Sequence, residues 1–331
     1  MKRLQVIEFL KGFSIFTIVI FHLLQKAHLE GILSKLIGFG GTGIHLFVLL
    51  SGFGLYLSFQ KKPLALVPFL KKRFSKIYIP YILVVLFSAL ISLFIPLFEN
   101  SWFALGGHVF LYKMFNESIM GSYGYPFWFV SMIIQFYLVF HLLVFVKKRV
   151  PAIPFFIGGL IISLSWSFLV LYLGKAHLRV WNSFFLQYLW EFALGMVLAE
   201  RYATGKGINW NPGVLVVGII AIVNCALYAL LALKGGETGK MLNDIPALLG
   251  YSFAALFLYK LPIAILKKFF LFTGGISFSV YLWHIFSYRL LAYVMGDASI
   301  AAVLILSLLL CYLIAWKFQD VVNWIYKKLG V

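Results

Sequence analysis

The chain is poor in charged side chains, which make up 11% of its 331 residues, whereas a soluble domain carries roughly 25%. Hydrophobic residues account for 63% and aromatic residues for 19%, and the mean hydropathy is +0.99. Too few polar side chains remain to cover a water-soluble fold of this size, so most of the surface must face lipid. The composition excludes an ordinary soluble protein and predicts an all-α polytopic membrane protein.

Cysteine is nearly absent. Cys225 and Cys311 lie far apart inside apolar runs, without CxxC or Cys/His spacing, so we expect no disulfide and no metal site. Heptads and long repeats are also missing, which argues against a coiled coil or a solenoid. At the N-terminus the basic Lys2 and Arg3 precede an apolar run. No small-x-small cleavage site follows Phe21, so we expect an uncleaved signal anchor and not a removed signal peptide.

Ten apolar stretches are long enough to cross about 30 Å of hydrocarbon. They fall near residues 6–25, 38–59, 77–98, 124–146, 152–173, 181–200, 212–233, 245–260, 269–289 and 299–318. When the connections are assigned to alternate sides, about two thirds of the 28 Lys and Arg lie on one side. We expect a protein of the cell membrane, and the positive-inside rule predicts that both of its termini are cytoplasmic. We expect residues 1–331 to form a single integral-membrane domain, with no fused soluble domain.

The net charge of +18 is explained mainly by this orientation, so we expect no nucleic-acid partner. Residues 61–76 carry more cations than orientation requires. An anionic cytoplasmic ligand or a lipid headgroup could bind there. Arg73 is the first candidate because its planar guanidinium suits phosphate, and the alternative is that these cations only set topology.

Polar residues inside the predicted spans are candidates for function, because they are costly in lipid. In the first span Glu8, Lys11 and His22 share a face, and Lys11 and His22 are separated by roughly 16 Å along the axis. In the ninth span Tyr281 and His284 lie on one face. For each lone histidine the simpler interpretation is a hydrogen-bonded helix contact.

A second set of polar residues lies in the second, fourth and sixth spans. The predicted topology places His45 at a depth similar to that of His22 and His284. Substrate-binding residues are expected among His45, Trp128, Ser131, Gln135 and Glu191.

Several of these residues resemble landmarks of the acyltransferase 3 family of membrane proteins, which acylate sugars of surface polysaccharides and other acceptors. The first-helix pattern is similar from Arg3 to His22, and Gly43 to Phe53 resembles the second-helix stretch that ends in Ser-Gly-Phe. The similarity continues in the residues Arg73, Lys76, Ile77, Pro80 and Tyr81, in Phe127-Trp128-Phe129 with Gln135 and Tyr137, in Phe192 to Gly195, and in Ser279 to His284. Glu8, Lys11 and Lys76 replace the more frequent Asp, Arg and Arg, and His45 stands where an acidic or other polar residue is more usual.

The resemblance implies transfer of an acyl group, usually acetyl from acetyl-CoA, to a saccharide hydroxyl on the outer side of the membrane. The donor would bind at Lys11, Arg73, Lys76 and Glu8. His22 is the candidate general base, and His284 and Tyr281 would position the acceptor or stabilise developing charge. An acyl-histidine intermediate is a further possibility. The alternative function is a transporter or flippase for a saccharide, which would need a site near the midplane that both sides can reach.

Overall fold

The computed structural model describes residues 4–27, 41–205 and 212–330, and every regular element in these ranges is helical. Lys2, Arg3 and the predicted beginning of the second span at residues 38–40 lie outside the described residues. The absence of strands from the described ranges agrees with the predicted all-α class.

The longer helices follow the apolar pattern of the sequence. We number them α1 (Gln5–Leu24), α2 (Gly43–Lys61), α3 (Leu66–Ile91), α4 (Trp102–Val109), α5 (Trp128–Arg149), α6 (Ala152–Tyr172), α7 (Leu189–Ala203), α8 (Val214–Lys234), α9 (Gly236–Leu242), α10 (Asp244–Lys260), α11 (Ala264–Gly275), α12 (Ser277–Met295) and α13 (Ile300–Leu329). The short segments are a helical turn at Arg179–Asn182 and 3₁₀ turns at Gln25–Ala27, Tyr112–Phe115, Glu117–Ile119, Tyr125–Phe127 and Phe185–Tyr188.

Seven helices within the described ranges are long and apolar enough to cross a membrane. The predicted ninth span is not one straight helix, because α11 and α12 meet at an angle of 84° and together make an eighth candidate. The predicted spans 181–200 and 245–260 instead form the helices α7 and α10, of 15 and 17 residues. The chain is therefore a multi-pass membrane protein, although ten full-length spans are not confirmed.

The third helix begins eleven residues before the position predicted for the third span. Pro63 precedes it, and Pro68 lies in its first turn, where a missing backbone N–H costs nothing. Most of the cations predicted to lie in a loop before the third span are therefore on the first three turns of α3, including Lys71, Lys72 and Arg73.

The described residues divide into two compact units. Unit 1 is built from the described parts of Met1–Ile18, Phe39–Ala65 and Val139–Gly275, and unit 2 from those of Val19–Gly38, Leu66–Leu138 and Ile276–Val331. The expected single domain stays a prediction.

In unit 1 the helices α2 and α7 cross closely at two glycines. A Cβ atom on Gly52 of α2 would overlap the carbonyl oxygen of Phe192, and one on Gly195 of α7 would overlap that of Leu49. Small residues permit such backbone contact between membrane helices, and this explains the glycine in the Ser-Gly-Phe stretch. The crossing of α2 with α7 brings the polar residues of both helices into the interior of the unit.

Unit 2 contains α3, α4, α12, α13 and the adjoining parts of α1 and α5. Aromatic contacts join α3 to α12, with the Phe87 ring 5.4 Å from the rings of Trp283 and Phe286. Ser279 on α12 donates to Gln319 on α13 at 2.9 Å. These contacts hold α12, which carries the predicted catalytic residues.

Candidate functional site

His22 and His284 come together in unit 2, although 262 positions separate them in the sequence. Their ring centroids lie 5.3 Å apart. His22 is half-buried, at the end of α1, whereas His284 on α12 is 1% exposed. The pair therefore has one member that a substrate can reach and one that is enclosed by protein.

The hydrogen bond of His284 fixes its tautomer. Nδ1 lies 2.6 Å from the carbonyl oxygen of Tyr281, and because a carbonyl only accepts, Nδ1 carries the proton. Nε2 is then the acceptor atom of a neutral ring. This nitrogen is buried and has no hydrogen-bond partner in the described part of the chain.

Tyr281 is also close to this pair, with its ring 6.1 Å from that of His284. Its hydroxyl donates to the carbonyl oxygen of Pro126 at 2.5 Å, and its ring packs against Phe127 and Phe129. The hydroxyl proton is thus already used inside the protein. In this arrangement Tyr281 positions the start of α5 against α12 and supports His284 through its backbone carbonyl.

The predicted substrate-binding residues of α5 lie near this contact. Trp128, Ser131 and Gln135 follow one another at steps of three and four and so share a helix face. Ser131 and Gln135 are buried, and Trp128 is half-buried.

In unit 1 the ammonium of Lys11 donates to Glu8 Oε1 at 2.8 Å. This segment of α1 packs closely on α11: a Cβ on Gly12 would overlap the carbonyl oxygen of Phe270, and one on Gly274 would overlap that of Glu8. The glycine that follows Lys11 therefore lets the ion pair lie directly beside the neighbouring backbone. Lys11 keeps 30% of its side chain exposed, so its ammonium can contact a ligand.

Arg73 and Lys76 lie on α3 in unit 2, two turns or less before Pro80. Because proline has no N–H, the carbonyl oxygen of Lys76 lacks its normal helical partner. The hydroxyl of Tyr326 donates to this oxygen at 2.7 Å. The proline of this motif thus provides the site at which the C-terminal helix is attached beside the two cations.

His45 and Glu191 are brought together in unit 1 by the crossing of α2 and α7. His45 Nδ1 and Glu191 Oε1 share a hydrogen bond of 2.6 Å, and His45 Nε2 lies 3.7 Å from Asp244 Oδ1. Sequence reasoning missed Asp244. Two features of the sequence could have indicated it: acidic residues are rare, with only ten in the chain, and Asp244 directly precedes an apolar stretch.

A second buried polar cluster in unit 2 was also missed. His108 lies on the short helix α4 and is fully buried; it accepts from the hydroxyl of Tyr81 at Nδ1 (2.6 Å) and donates from Nε2 to Ser122 (2.8 Å). Ser122 in turn donates to the carbonyl oxygen of Ile119, which fixes this order of donors. Burial, followed by the charge of Lys113, lowers the pKa of His108 well below its usual range.

The alternate assignment of connections places Lys113 in a loop on the outer side, as an orientation charge. The structure instead buries it completely in the turn Tyr112–Phe115. The turn folds back because Leu111 has a positive φ of 63°, and Gly107 leaves room beside the Lys113 side chain. An isolated charge in a sequence does not show whether its loop packs onto the helices below, so this burial could not be read from the pattern.

Comparison with known proteins bears on the identity of the chain. No curated protein and no solved structure matches it. A family model described as an acyltransferase domain, that of the acyltransferase 3 family, matches residues 4–316. This match covers most of the chain and all the polar clusters described above, so the chain belongs to the acyltransferase 3 family of membrane acyltransferases.

Proposed function

We propose that this protein transfers an acetyl group from cytoplasmic acetyl-CoA to a hydroxyl of a cell-surface or lipid-linked saccharide. Transfer takes place at the outer side of the cytoplasmic membrane, and both termini are cytoplasmic. The orientation is supported by the excess of Lys and Arg in alternate connections. The acyl-transfer chemistry is supported by membership of the family.

The observation that carries the proposal is the paired imidazoles of His22 and His284 in unit 2. An attacking hydroxyl must lose a proton, and imidazole has an unperturbed pKa near pH 7, which suits a general base. We assign His22 as that base because it is the more accessible ring. His284, with its proton fixed on Nδ1 and a free lone pair on Nε2, orients His22 or receives the proton.

The donor is assigned to two cationic sites, each described in its own unit. In unit 1, Lys11 is held by Glu8 and remains partly exposed. In unit 2, Arg73 and Lys76 lie on one side of α3, one turn apart. Cationic side chains form charge-assisted hydrogen bonds with phosphate oxygens, which supports their assignment to the nucleotide phosphates of the coenzyme.

The acceptor is assigned to the polar face of α5. Trp128, Ser131 and Gln135 combine an aromatic surface with a hydroxyl and an amide, a combination that suits a sugar ring and its hydroxyls. Binding of the acceptor by His45 and Glu191 stays a prediction. In unit 1 these two side chains share a hydrogen bond with each other.

The catalytic assignment is tested with His22→Gln and His284→Gln in detergent-purified protein. We expect each substitution to lower kcat for transfer of labelled acetyl from acetyl-CoA by about 10²- to 10⁴-fold, with donor affinity unchanged. The control is His177→Gln, since His177 is an exposed loop residue. Full activity of both variants would remove the histidine pair from the mechanism.

The donor assignment is tested by calorimetric titration with acetyl-CoA. Lys11→Gln and Arg73→Gln should each weaken binding by roughly ten- to a hundred-fold, since a lost charge-assisted hydrogen bond removes about 1.5 to 3 kcal/mol. Lys61→Gln is the control, because Lys61 is an exposed cation at the end of α2. If only the Lys61 variant loses affinity, the coenzyme site has been placed wrongly. If the folded parent binds no acetyl-CoA at all, the donor proposal fails.

A further inference from the structure

Three helices of unit 1 place one histidine and two carboxylates around a common point. His45 comes from α2, Glu191 from α7 and Asp244 from the first turn of α10. One nitrogen or oxygen atom from each residue lies within 4.8 Å of the others. Glu191 is fully buried and His45 is 8% exposed. Such a cluster needs an explanation, because buried ionisable groups are costly unless they are paired or bind a metal.

The charges within this cluster balance only when at least one carboxyl group keeps a proton. If the imidazole of His45 holds two protons and both carboxylates are ionised, one negative charge remains. Glu191 Oε1 shares a hydrogen bond with His45 Nδ1, but Glu191 Oε2 is buried and has no hydrogen-bond partner among the described residues. A divalent cation would compensate the excess charge and bind the free oxygen.

Hydrogen bonds from neighbouring side chains orient Asp244, as they orient the ligands of metal sites. Gln187 donates to Asp244 Oδ2 at 2.7 Å, which leaves Oδ1 directed at His45. Ser167 donates to Gln187 Oε1 at 2.9 Å, so the amide is itself oriented. Hydrogen-bonded neighbours of this kind fix ligating carboxylates in metalloproteins.

The cluster also adjoins space for solvent. A cavity of about 20 Å³ is lined by Asp244, Gln187, Ser163 and Ser167 together with apolar side chains. This volume is enough for one water molecule. Asp244 is the one candidate ligand that lines this cavity. Sites with three protein ligands are typical of open zinc sites, in which water takes the fourth position.

We propose that His45, Glu191 and Asp244 bind a divalent first-row transition ion, with Zn²⁺ the best fit to one imidazole and two carboxylates. Binding draws the ligand atoms inward, to roughly 3.3 Å from one another for metal bonds of about 2.0–2.1 Å. Zn²⁺ replaces the Nδ1 proton of a doubly protonated His45, and this proton is released to solvent while Nε2 keeps its own. The hydrogen bond between His45 and Glu191 is thereby exchanged for two metal bonds. This site does not depend on the acyl-transfer proposal, since none of its ligands belongs to the donor site or the histidine pair.

The proposal is tested by calorimetric titration of the full-length protein, stripped with EDTA, with Zn²⁺. We expect one Zn²⁺ per chain, bound with a Kd of about 1 μM or lower. Glu191→Gln and Asp244→Asn should each weaken binding by at least about a hundredfold. Asp320→Asn and His141→Gln are matched controls, because Asp320 is exposed on α13 and His141 bonds a backbone carbonyl; both should bind like the parent.

Two results would overturn the metal site. One is a folded parent that binds no stoichiometric Zn²⁺ at about 100 μM, which would leave a metal-free cluster of the three side chains. The other is unchanged binding by both ligand variants. If those variants do not fold, X-ray absorption at the zinc edge of the parent decides. Nitrogen and oxygen at about 2.0–2.1 Å are expected, and sulfur at about 2.3 Å would assign the metal to a cysteine and refute the proposal.

Discussion

Lys113 provides the sharpest test of the packing in unit 2. Its side chain is fully buried, and its ammonium has no hydrogen-bond partner among the described residues. A cation–π contact joins it to the ring of Phe127, whose centroid lies 5.8 Å from Nζ. Burial lowers the pKa of Lys113 from 10.5 to about 7. The perturbation is Lys113→Met, which keeps an unbranched side chain and removes the charge.

The direction of the pH dependence follows from this pKa. Between pH 7 and 10.5 the unfolded chain holds the lysine proton and the folded protein does not, so the free energy of unfolding rises with pH in this window. The free energy of unfolding rises by at most about 1.4 kcal/mol per pH unit, and by about 5 kcal/mol across the whole window. Below pH 7 the folded protein must bury the charge, so the stabilisation that Lys113→Met gives is greatest there and decreases as pH rises. His108 titrates below this window because its pKa is also lowered.

The assay is thermal unfolding in detergent from pH 6.5 to 9.5, followed by the fluorescence of the nine tryptophans. The melting temperature of the parent should rise with pH relative to that of the variant, by an amount equivalent to about 3 kcal/mol between pH 7 and 9. Lys175→Met is the control, since Lys175 is exposed. Melting temperatures of parent and Lys113→Met that stay parallel across this range would refute the burial of an unpartnered ammonium.

Two further predictions concern packing and orientation. Gly52→Ala should lower the melting temperature, because its Cβ would overlap the Phe192 carbonyl, at a cost of about 1–3 kcal/mol or more. Gly54→Ala is the control and should not lower it, since the space around its Cβ is open. Equal losses of melting temperature in the two variants would contradict the close crossing. A cysteine at the exposed Ser118 should react with an impermeant maleimide added to intact cells, whereas one at the exposed Lys148 should react only after permeabilisation. The reverse labelling pattern would invert the topology.

The structural class and the polar faces of single helices could be predicted from the sequence. Composition alone shows that most of the surface faces lipid, and helical periodicity alone places Glu8, Lys11 and His22 on α1, and Tyr281 and His284 on α12. These properties are local, because the repeat of a helix fixes which side chains share its face. The family landmarks were also readable as motifs, and the match to the family model confirms the predicted family.

Helix boundaries were predicted less well, because hydropathy does not record where a helix stops. The early start of α3 and the 84° bend between α11 and α12 depend on backbone geometry at positions such as Pro68 and Ile276 and not on apolar content. Hydropathy places a helix in lipid, but it does not require the helix to be straight.

Contacts between distant residues were decided only by the tertiary structure. The proximity of His22 to His284, the arrival of Asp244 beside His45 and the complete burial of Lys113 depend on how helices and turns pack. That packing is set by many small contacts, such as the glycine crossings of unit 1, and no spacing within the sequence encodes it directly. The sequence thus determined the chemical groups that this membrane protein holds and the helix faces that carry them, whereas three-dimensional packing decided which of those groups can act together.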